Sequence, residues 1–225
     1  SLPGESLSCD LILNKVDYRN DIHSIQNTFG KIKDNYHSYI MKQNGVFYLF
    51  DAADNCTRIA NKKIYKYTER TNTSTISSVE ESNYYYLLNN DKVKVTVDEG
   101  NSITLFDGII TQVFKYNDPN YVIDLIKNNK TGEEITFDAT SNTRTIRKTI
   151  KDSIEEIKIT YKPGTASIEK LCYSINDETI KEYVFTNTTT DGITRLTNIA
   201  CQSTNEEYNF SYYQNNYRLL LVLLW

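Results

Sequence analysis

Three short stretches near the C-terminal end of the chain are alike: IKITY at 157–161, YVFTN at 183–187 and YNFSY at 208–212. Each alternates large apolar or aromatic residues with polar ones, and turn-prone residues and a second apolar run follow. Their first residues lie 26 and 25 positions apart (157 to 183 and 183 to 208), enough for a strand, a turn and a return strand. Repetition at a fixed period is typical of stacked structural units. The stretches therefore predict a scaffold of repeated hairpins.

The composition of the 225-residue chain also favours β-structure. It contains 18 Tyr and 8 Phe, and Tyr, Thr, Ile and Val suit a pleated, half-buried surface. With only 8 Gly and 3 Pro, the turns must rely on Asn and Asp. We expect an all-β fold, an antiparallel meander of repeated hairpins that forms a curved, open β-sheet strip. The net charge of −4 argues against a nucleic-acid partner, which requires a basic face.

Alternation and turn signals continue along most of the chain, so we predict a single continuous β-repeat region over 1–225. Its opening segment covers 1–67 and its hairpin repeats cover 84–225. The Ser/Thr-rich stretch between them, 68–83, is expected to be an exposed loop. Isoleucine spacing over 145–161 fits either a helix or strands, and β-branching favours strands.

The two ends of the chain lead to separate expectations. The first residues lack a basic start and a long apolar run, so we expect no signal peptide, and the absence of an initial Met suggests a piece of a longer protein. The apolar run at 219–225 is shorter than the roughly 20 residues of a transmembrane helix. We expect it to form a buried strand, the alternative being part of a longer membrane span.

Further motifs follow one another in a fixed order. They are LPGESLSCDL at 2–11, GKIKDNY at 30–36, NGVFYLFDA at 44–52, EGNSITL at 99–105, GITRLTNI at 192–199 and EYNFSYYQNNYRL at 207–219. Together they resemble the Rhs/YD-repeat family of large bacterial surface and secreted proteins. The last segment is similar to that family's x-Y-x-F-x-Y-(D/N)-x-x-(G/N)-x-x-R-L, with Tyr213 replacing Asp or Asn. In 30–36, Ile32 and Lys33 replace the usual Gly and Trp.

This resemblance implies a long β-sheet strip that spirals into a hollow shell around a C-terminal toxin or effector domain. The chain would be a non-catalytic structural segment of the shell wall, secreted or on the bacterial cell surface. Its partners would be further repeats and the enclosed domain of the same polypeptide. The alternative is a ligand-binding surface β-protein, an adhesin or a lipoprotein with an open β half-barrel. Closure of the sheet distinguishes these two interpretations. A shell fragment keeps open sheet edges and should aggregate, whereas a binding protein should have a complete core.

Residues with catalytic potential are few, and we predict neither an enzyme nor a cofactor or metal site. His23 and His37 are 14 positions apart and are expected in loops or at the surface. The carboxylate pairs at 98–99 and 155–156 fit a solvated face better than a glycosidase site. Asp51, Asp54 and Asn55 lack the spacing of a calcium loop and predict a hairpin turn.

Four separated cysteines and three consecutive tyrosines complete the candidate residues. The four cysteines have no metal-type spacing, three disulfide pairings are open to them, and buried free thiols are the simpler interpretation; they are Cys9, Cys56, Cys172 and Cys201. Tyr84, Tyr85 and Tyr86 form a candidate binding patch for a sugar or peptide, which would make a cell-surface glycan or protein a partner. Because a strand has two faces, at least one of the three is expected in the core.

Overall fold

The computed structural model describes residues 7, 11–13, 32–52, 55–69, 76–165, 167–190, 193–212 and 219–224. The chain is all-β, and the described residues contain no helix. This confirms the predicted all-β antiparallel meander. No described part of the chain forms a helix of the length and apolarity that a membrane crossing requires.

The described residues form eighteen strands. They are β1 (Leu11–Leu13), β2 (Ile32–Asp34), β3 (Tyr39–Gln43), β4 (Val46–Phe50), β5 (Cys56–Glu69), β6 (Ile76–Leu87), β7 (Asn90–Asp98), β8 (Ser102–Phe106), β9 (Ile110–Asn117), β10 (Asn120–Asn128), β11 (Glu134–Ala139), β12 (Thr143–Ile150), β13 (Ser153–Tyr161), β14 (Ile168–Ile175), β15 (Glu178–Thr190), β16 (Ile193–Cys201), β17 (Glu206–Tyr212) and β18 (Leu219–Leu224).

The strands belong to two compact units. One unit comprises 37–130 and contains β3 to β10, and the other comprises 1–36 together with 131–225. In the second unit β1 and β2 form a small antiparallel sheet, with Leu11 opposite Asp34. The prediction of a single continuous repeat region, with an opening segment at 1–67 and repeats at 84–225, stays a prediction.

The unit at 37–130 is a closed eight-stranded barrel. Each strand from β3 to β10 pairs with the next, and β10 pairs with both β9 and β3. Val122, for example, lies opposite Lys115 on β9 and opposite Tyr39 on β3. The predicted open strip is therefore wrong for this unit, because the sheet meets itself.

Closure has a physical basis in the size of the barrel. Eight strands enclose an interior just wide enough for side chains to fill, and closing the sheet removes both exposed strand edges. The buried apolar residues on the strands of this unit face its interior, and they are Ile40, Phe47, Ile59, Leu87, Val93, Val95, Ile103, Leu105, Phe114, Tyr121 and Ile123. The alternation that predicted a strip is equally the pattern of a filled barrel, so strand number and tilt decide between them.

Turns made by Asn, Asp and Gly connect the strands as predicted. Asn44 and Gly45 have φ angles of 51° and 78° and join β3 to β4, with Gln43 opposite Val46. Positive φ at both central residues is the type I′ geometry that matches strand twist. Asn176 and Asp177 have φ angles of 48° and 67° and connect β14 to β15. The hairpin signal of the sequence is thus confirmed.

The repeats at 131–225 form a meander from β11 to β18 in which every strand pairs with its neighbours in sequence order. The three repeated stretches lie in β13, β15 and β17. Pairing also joins one hairpin to the next, with Leu171 opposite Tyr183 and Ile199 opposite Tyr208. The predicted strands in 145–161 are confirmed, and the apolar run contains the predicted strand β18.

The predicted exposed loop at 68–83 is largely wrong. Strand β5 extends to Glu69 and β6 begins at Ile76, and the two pair from Ile59 opposite Leu87 to Glu69 opposite Ile76. Ser and Thr mark loops by composition, but Thr suits strands as well. Backbone pairing with a long neighbouring strand therefore outweighs the polar composition.

Candidate functional site

An apolar groove lies on one face of the meander in the unit at 131–225 and encloses about 440 Å³. We call it the aromatic groove, and its lining residues are Leu7, Ile157, Leu171, Tyr173, Lys181, Tyr183, Phe185, Ile199, Tyr208 and Phe210. A volume of this size, lined mainly by apolar and aromatic side chains with few polar groups, is typical of ligand sites.

Strand register explains why these residues share a face. Ile157 lies opposite Tyr173, Leu171 opposite Tyr183, and Ile199 opposite Tyr208. Directly opposed residues point to the same side of a sheet, and so do residues two apart on one strand. The period of 25 to 26 residues therefore stacks equivalent large side chains from successive hairpins along one face.

One residue from the start of the chain is seated in the groove. Leu7 is 5% exposed, and its backbone N–H donates a hydrogen bond of 2.5 Å to Oε2 of Glu155. The hydroxyl of Tyr173 donates to the same oxygen at 3.1 Å. Burial and the nearby Glu155 carboxylate raise the pKa of Tyr173, which stays protonated as a donor at neutral pH. The Glu155 carboxylate thus recognises a backbone amide beside an apolar side chain.

A single cation completes the polar part of the groove. Tyr183 and Glu206 raise the pKa of the Lys181 ammonium, so this group stays charged. Burial raises the pKa of Tyr183. The groove therefore offers apolar contact, one ammonium donor and one carboxylate acceptor, the combination that matches the carbonyl and N–H groups of an extended polypeptide.

The free thiols of Cys172 and Cys201 are poorly placed for nucleophilic chemistry. Burial and a hydrogen bond of 3.4 Å to Glu182 raise the pKa of Cys172, which keeps it a thiol. Burial acts to raise the pKa of Cys201, but hydrogen bonds with Ser203 and Thr204 outweigh it and the pKa is lowered. Cys201 is only 1% exposed, however. The burial predicted for these thiols fails for Cys56, which is exposed, and Cys9 lies outside the described residues.

The predicted tyrosine patch is divided between the two faces of β6. Tyr84 is 37% exposed and stacks on Tyr86, with ring centroids 6.1 Å apart. Tyr85 points into the barrel, where its ring lies 6.3 Å from that of Phe47. Tyr85 is half-buried on the inner face, so the expectation of a tyrosine in the core stays a prediction, and Tyr84 and Tyr86 lie together on the outer face.

The remaining predicted candidates do not meet in one place. Glu155 faces the groove, whereas its neighbour Glu156 binds Arg147 at 2.6 Å, so the two carboxylates serve opposite faces. Glu99 pairs with Lys42, while Asp98 accepts a hydrogen bond of 2.7 Å from Asn101.

The predicted hairpin turn at Asp51 is confirmed by its hydrogen bonds. Both carboxylate oxygens of Asp51 accept from Asn55, at 2.9 and 2.8 Å. The ring of His37 lies 6.4 Å from that of Tyr39. His23 and Asp54 lie outside the described residues. Within the described ranges no three His, Cys, Asp or Glu side chains are grouped as a metal site would need.

Two polar features were missed by sequence reasoning. Leu7 and Glu155 are 148 positions apart, and no local pattern connects them. Lys148 and Glu133 form an ion pair of 3.2 Å with side chains 1% and 7% exposed. A signal for Lys148 did exist, because it occupies the inward position two residues after the buried Ile146.

Comparisons with known proteins leave the family of this chain open. No model of a known protein family matches it, and no curated protein matches it in sequence. The fold and the aromatic groove therefore carry the functional argument.

Proposed function

We propose that this chain is a non-catalytic structural segment of an Rhs/YD-type protein, part of the wall of a β-shell that encloses a C-terminal toxin or effector domain. The supporting observation is the meander at 131–225, in which each hairpin pairs with the next and places its large side chains on one face. Hairpins are marginal alone and gain stability from their neighbours. In a wall, the aromatic groove would contact apolar segments of the enclosed polypeptide.

The edge strand of the meander is compatible with a longer wall. Strand β18 lies at the end of the strand order, and its six residues are all Leu or Val. An apolar edge strand with unpaired backbone groups readily accepts another strand. Placement of the parent protein outside the cell or on its surface belongs to the same proposal.

Photo-crosslinking in the full-length parent protein tests this role. Phe210 lines the groove, and the neighbouring Ser211 is exposed; each is replaced in turn by p-benzoylphenylalanine. Illumination followed by mass spectrometry should link position 210, but not position 211, to the C-terminal domain of the same polypeptide. The enclosing wall would be refuted if positions 210 and 211 crosslinked to the C-terminal domain in equal yield. It would also be refuted if position 210 crosslinked only to other molecules and not to that domain.

The alternative, a ligand-binding surface β-protein, is favoured by one observation. The unit at 37–130 closes on itself around a filled interior, which a binding module needs and an open strip lacks. Light scattering of the purified 225-residue chain separates the two roles. Association through open strand edges supports the wall, whereas a stable monomer at high concentration supports the binding protein.

A further inference from the structure

A patch of cations and aromatic rings lies on the outer face of the barrel at 37–130. We call it the cationic-aromatic patch, and it consists of Arg58, Lys62, Tyr84, Tyr86, Lys94 and Phe106. Cross-strand register places these residues together, with Lys62 opposite Tyr84, Tyr86 opposite Lys94, and Lys94 opposite Phe106. Their sequence neighbours Tyr85, Val95 and Leu105 point inward, so the six side chains point outward.

The exposure of the patch makes it available to a ligand. Arg58, Lys62 and Lys94 are exposed, and Tyr86 is half-buried. Tyr84 and Phe106 are each 37% exposed, so part of each ring is open to a ligand. The rings of Tyr84 and Tyr86 stack with an interplanar angle of 25°, so two aromatic surfaces act as one platform.

The three cations of the patch lie beside aromatic rings and not beside carboxylates. Several other cations on the described strands have carboxylate partners, as in Lys115 with Asp124 and Lys170 with Glu182. Arg58, Lys62 and Lys94 form no ion pair with any described residue, and their opposed neighbours are aromatic. Opposite charges would stabilise the sheet, so this arrangement leaves positive charge free for an external anion.

We propose that the cationic-aromatic patch binds an acidic polysaccharide. The C–H faces of sugar rings pack on aromatic side chains through apolar contact, and uronate carboxylates form charge-assisted hydrogen bonds with Lys and Arg. Neighbouring strands lie about 4.8 Å apart and two residues along a strand span about 6.8 Å. Lys62 on β5 is opposite Tyr84 and Lys94 on β7 is opposite Tyr86, so the backbones of the two lysines are about 12 Å apart. An open outer face with cations on both sides of a ring platform suits an extended chain of acidic sugars.

Carbohydrate is favoured over nucleic acid by the overall charge. A nucleic-acid surface neutralises many successive phosphates and gives a basic protein face. This chain has a net charge of −4, and the patch supplies three cations. Three cations suffice to pair with the spaced carboxylates of an acidic polysaccharide. Binding of such a ligand does not depend on the proposed wall function.

The test uses oligogalacturonate as the anionic sugar, with isothermal titration calorimetry on the whole chain. Lys62→Gln/Lys94→Gln should weaken binding by at least tenfold, and Tyr84→Leu should weaken it by severalfold. The matched control, Lys130→Gln/Lys162→Gln, removes the same charge from exposed positions outside the patch and should bind as the unmodified chain does. Far-UV circular dichroism should be the same for all variants because the changes are at the surface.

Two ligand controls decide the class. The carboxyl-reduced, neutral oligogalactose should bind at least tenfold more weakly than oligogalacturonate. Oligo(dT) of equal charge should also bind more weakly. The proposal is overturned by a lack of oligogalacturonate binding, by equal affinity for the neutral sugar, by equal effects of the two double variants, or by tighter binding of oligo(dT).

Discussion

Nζ of Lys148 lies 3.2 Å from Oε1 of Glu133, and both side chains are almost completely buried in the unit at 131–225. Lys148 is placed on β12 opposite Ile135, and Glu133 directly precedes β11. Two charges taken out of water stabilise a fold only when each satisfies the other. The pair therefore ties the start of β11 to the inward face of β12.

Removing one partner of this pair should be strongly destabilising. Lys148→Met leaves the Glu133 carboxylate buried without its cation, and we expect a loss of about 3–5 kcal/mol. Hydrogen exchange of peptides within 131–165, followed by mass spectrometry, measures the local free energy of opening.

The double variant Glu133→Leu/Lys148→Met distinguishes the buried charge from lost packing. Because it removes both charges, it should recover most of the loss. Lys158→Met changes an exposed lysine on β13 and should alter stability by about 0.5 kcal/mol or less. If the double variant is as unstable as Lys148→Met alone, the explanation by an uncompensated charge is wrong.

Truncation of the two adjacent tyrosines on β6 should destabilise the fold to different extents. Tyr85→Ala removes a ring that packs edge-on against Phe47 inside the barrel, and we expect a loss of about 2–3 kcal/mol. Tyr84→Ala affects an exposed ring and should cost about 0.5 kcal/mol or less. Urea unfolding followed by far-UV circular dichroism measures both. A larger effect for Tyr84 would contradict the assignment of the two faces.

Strands and turns can be predicted from the sequence because their signals are local. The alternation around Tyr183 and Phe185 identifies both the strand and its apolar face, and Asn44-Gly45 identifies the hairpin. Barrel closure cannot be predicted in this way, because it pairs Ile40 on β3 with Tyr121 on β10, 81 positions apart in the sequence. Whether distant strands meet depends on strand number, tilt and stagger, which alternation does not encode.

The candidate sites show the same division. Membership of the aromatic groove follows from the repeat, since equivalent side chains of successive hairpins share one face. The hydrogen bond between Leu7 and Glu155 is a tertiary contact between distant segments, so no spacing predicts it. The cationic-aromatic patch needs the register of four strands. From the sequence we identified only its two tyrosines, Tyr84 and Tyr86, together with Tyr85, which is internal.

Cysteine reactivity should follow exposure. Iodoacetamide should label Cys56 first among the described cysteines, because it is exposed. Burial raises the pKa of Cys172, which lowers its thiolate fraction, and Cys201 is buried. Site-resolved mass spectrometry of a time course measures each rate. Labelling of Cys201 as fast as that of Cys56 in the folded chain would contradict the burial of Cys201.

The turn between β8 and β9 should contribute a pH-dependent stability. Oδ1 of Asp107 accepts hydrogen bonds from the backbone N–H groups of Ile110 and Ile109, at 2.7 and 2.8 Å, and these bonds lower the pKa of Asp107 below its ordinary value of 3.8. A carboxyl with a lowered folded-state pKa stabilises the fold fully above its unfolded-state value, and this contribution disappears as the pH falls through the folded-state value.

Asp107→Asn keeps the shape of the acceptor but removes its charge. At pH 7 the variant should be less stable than the unmodified chain by about 1 kcal/mol or less, and the difference should shrink as the pH falls from about 5 to below 3. Urea unfolding at several pH values measures it. Asp91→Asn is the control, because Asp91 is exposed and no hydrogen bond to its carboxylate is found among the described residues. A difference for Asp107→Asn that stays constant down to acidic pH would show that the charge on this turn does not stabilise the barrel.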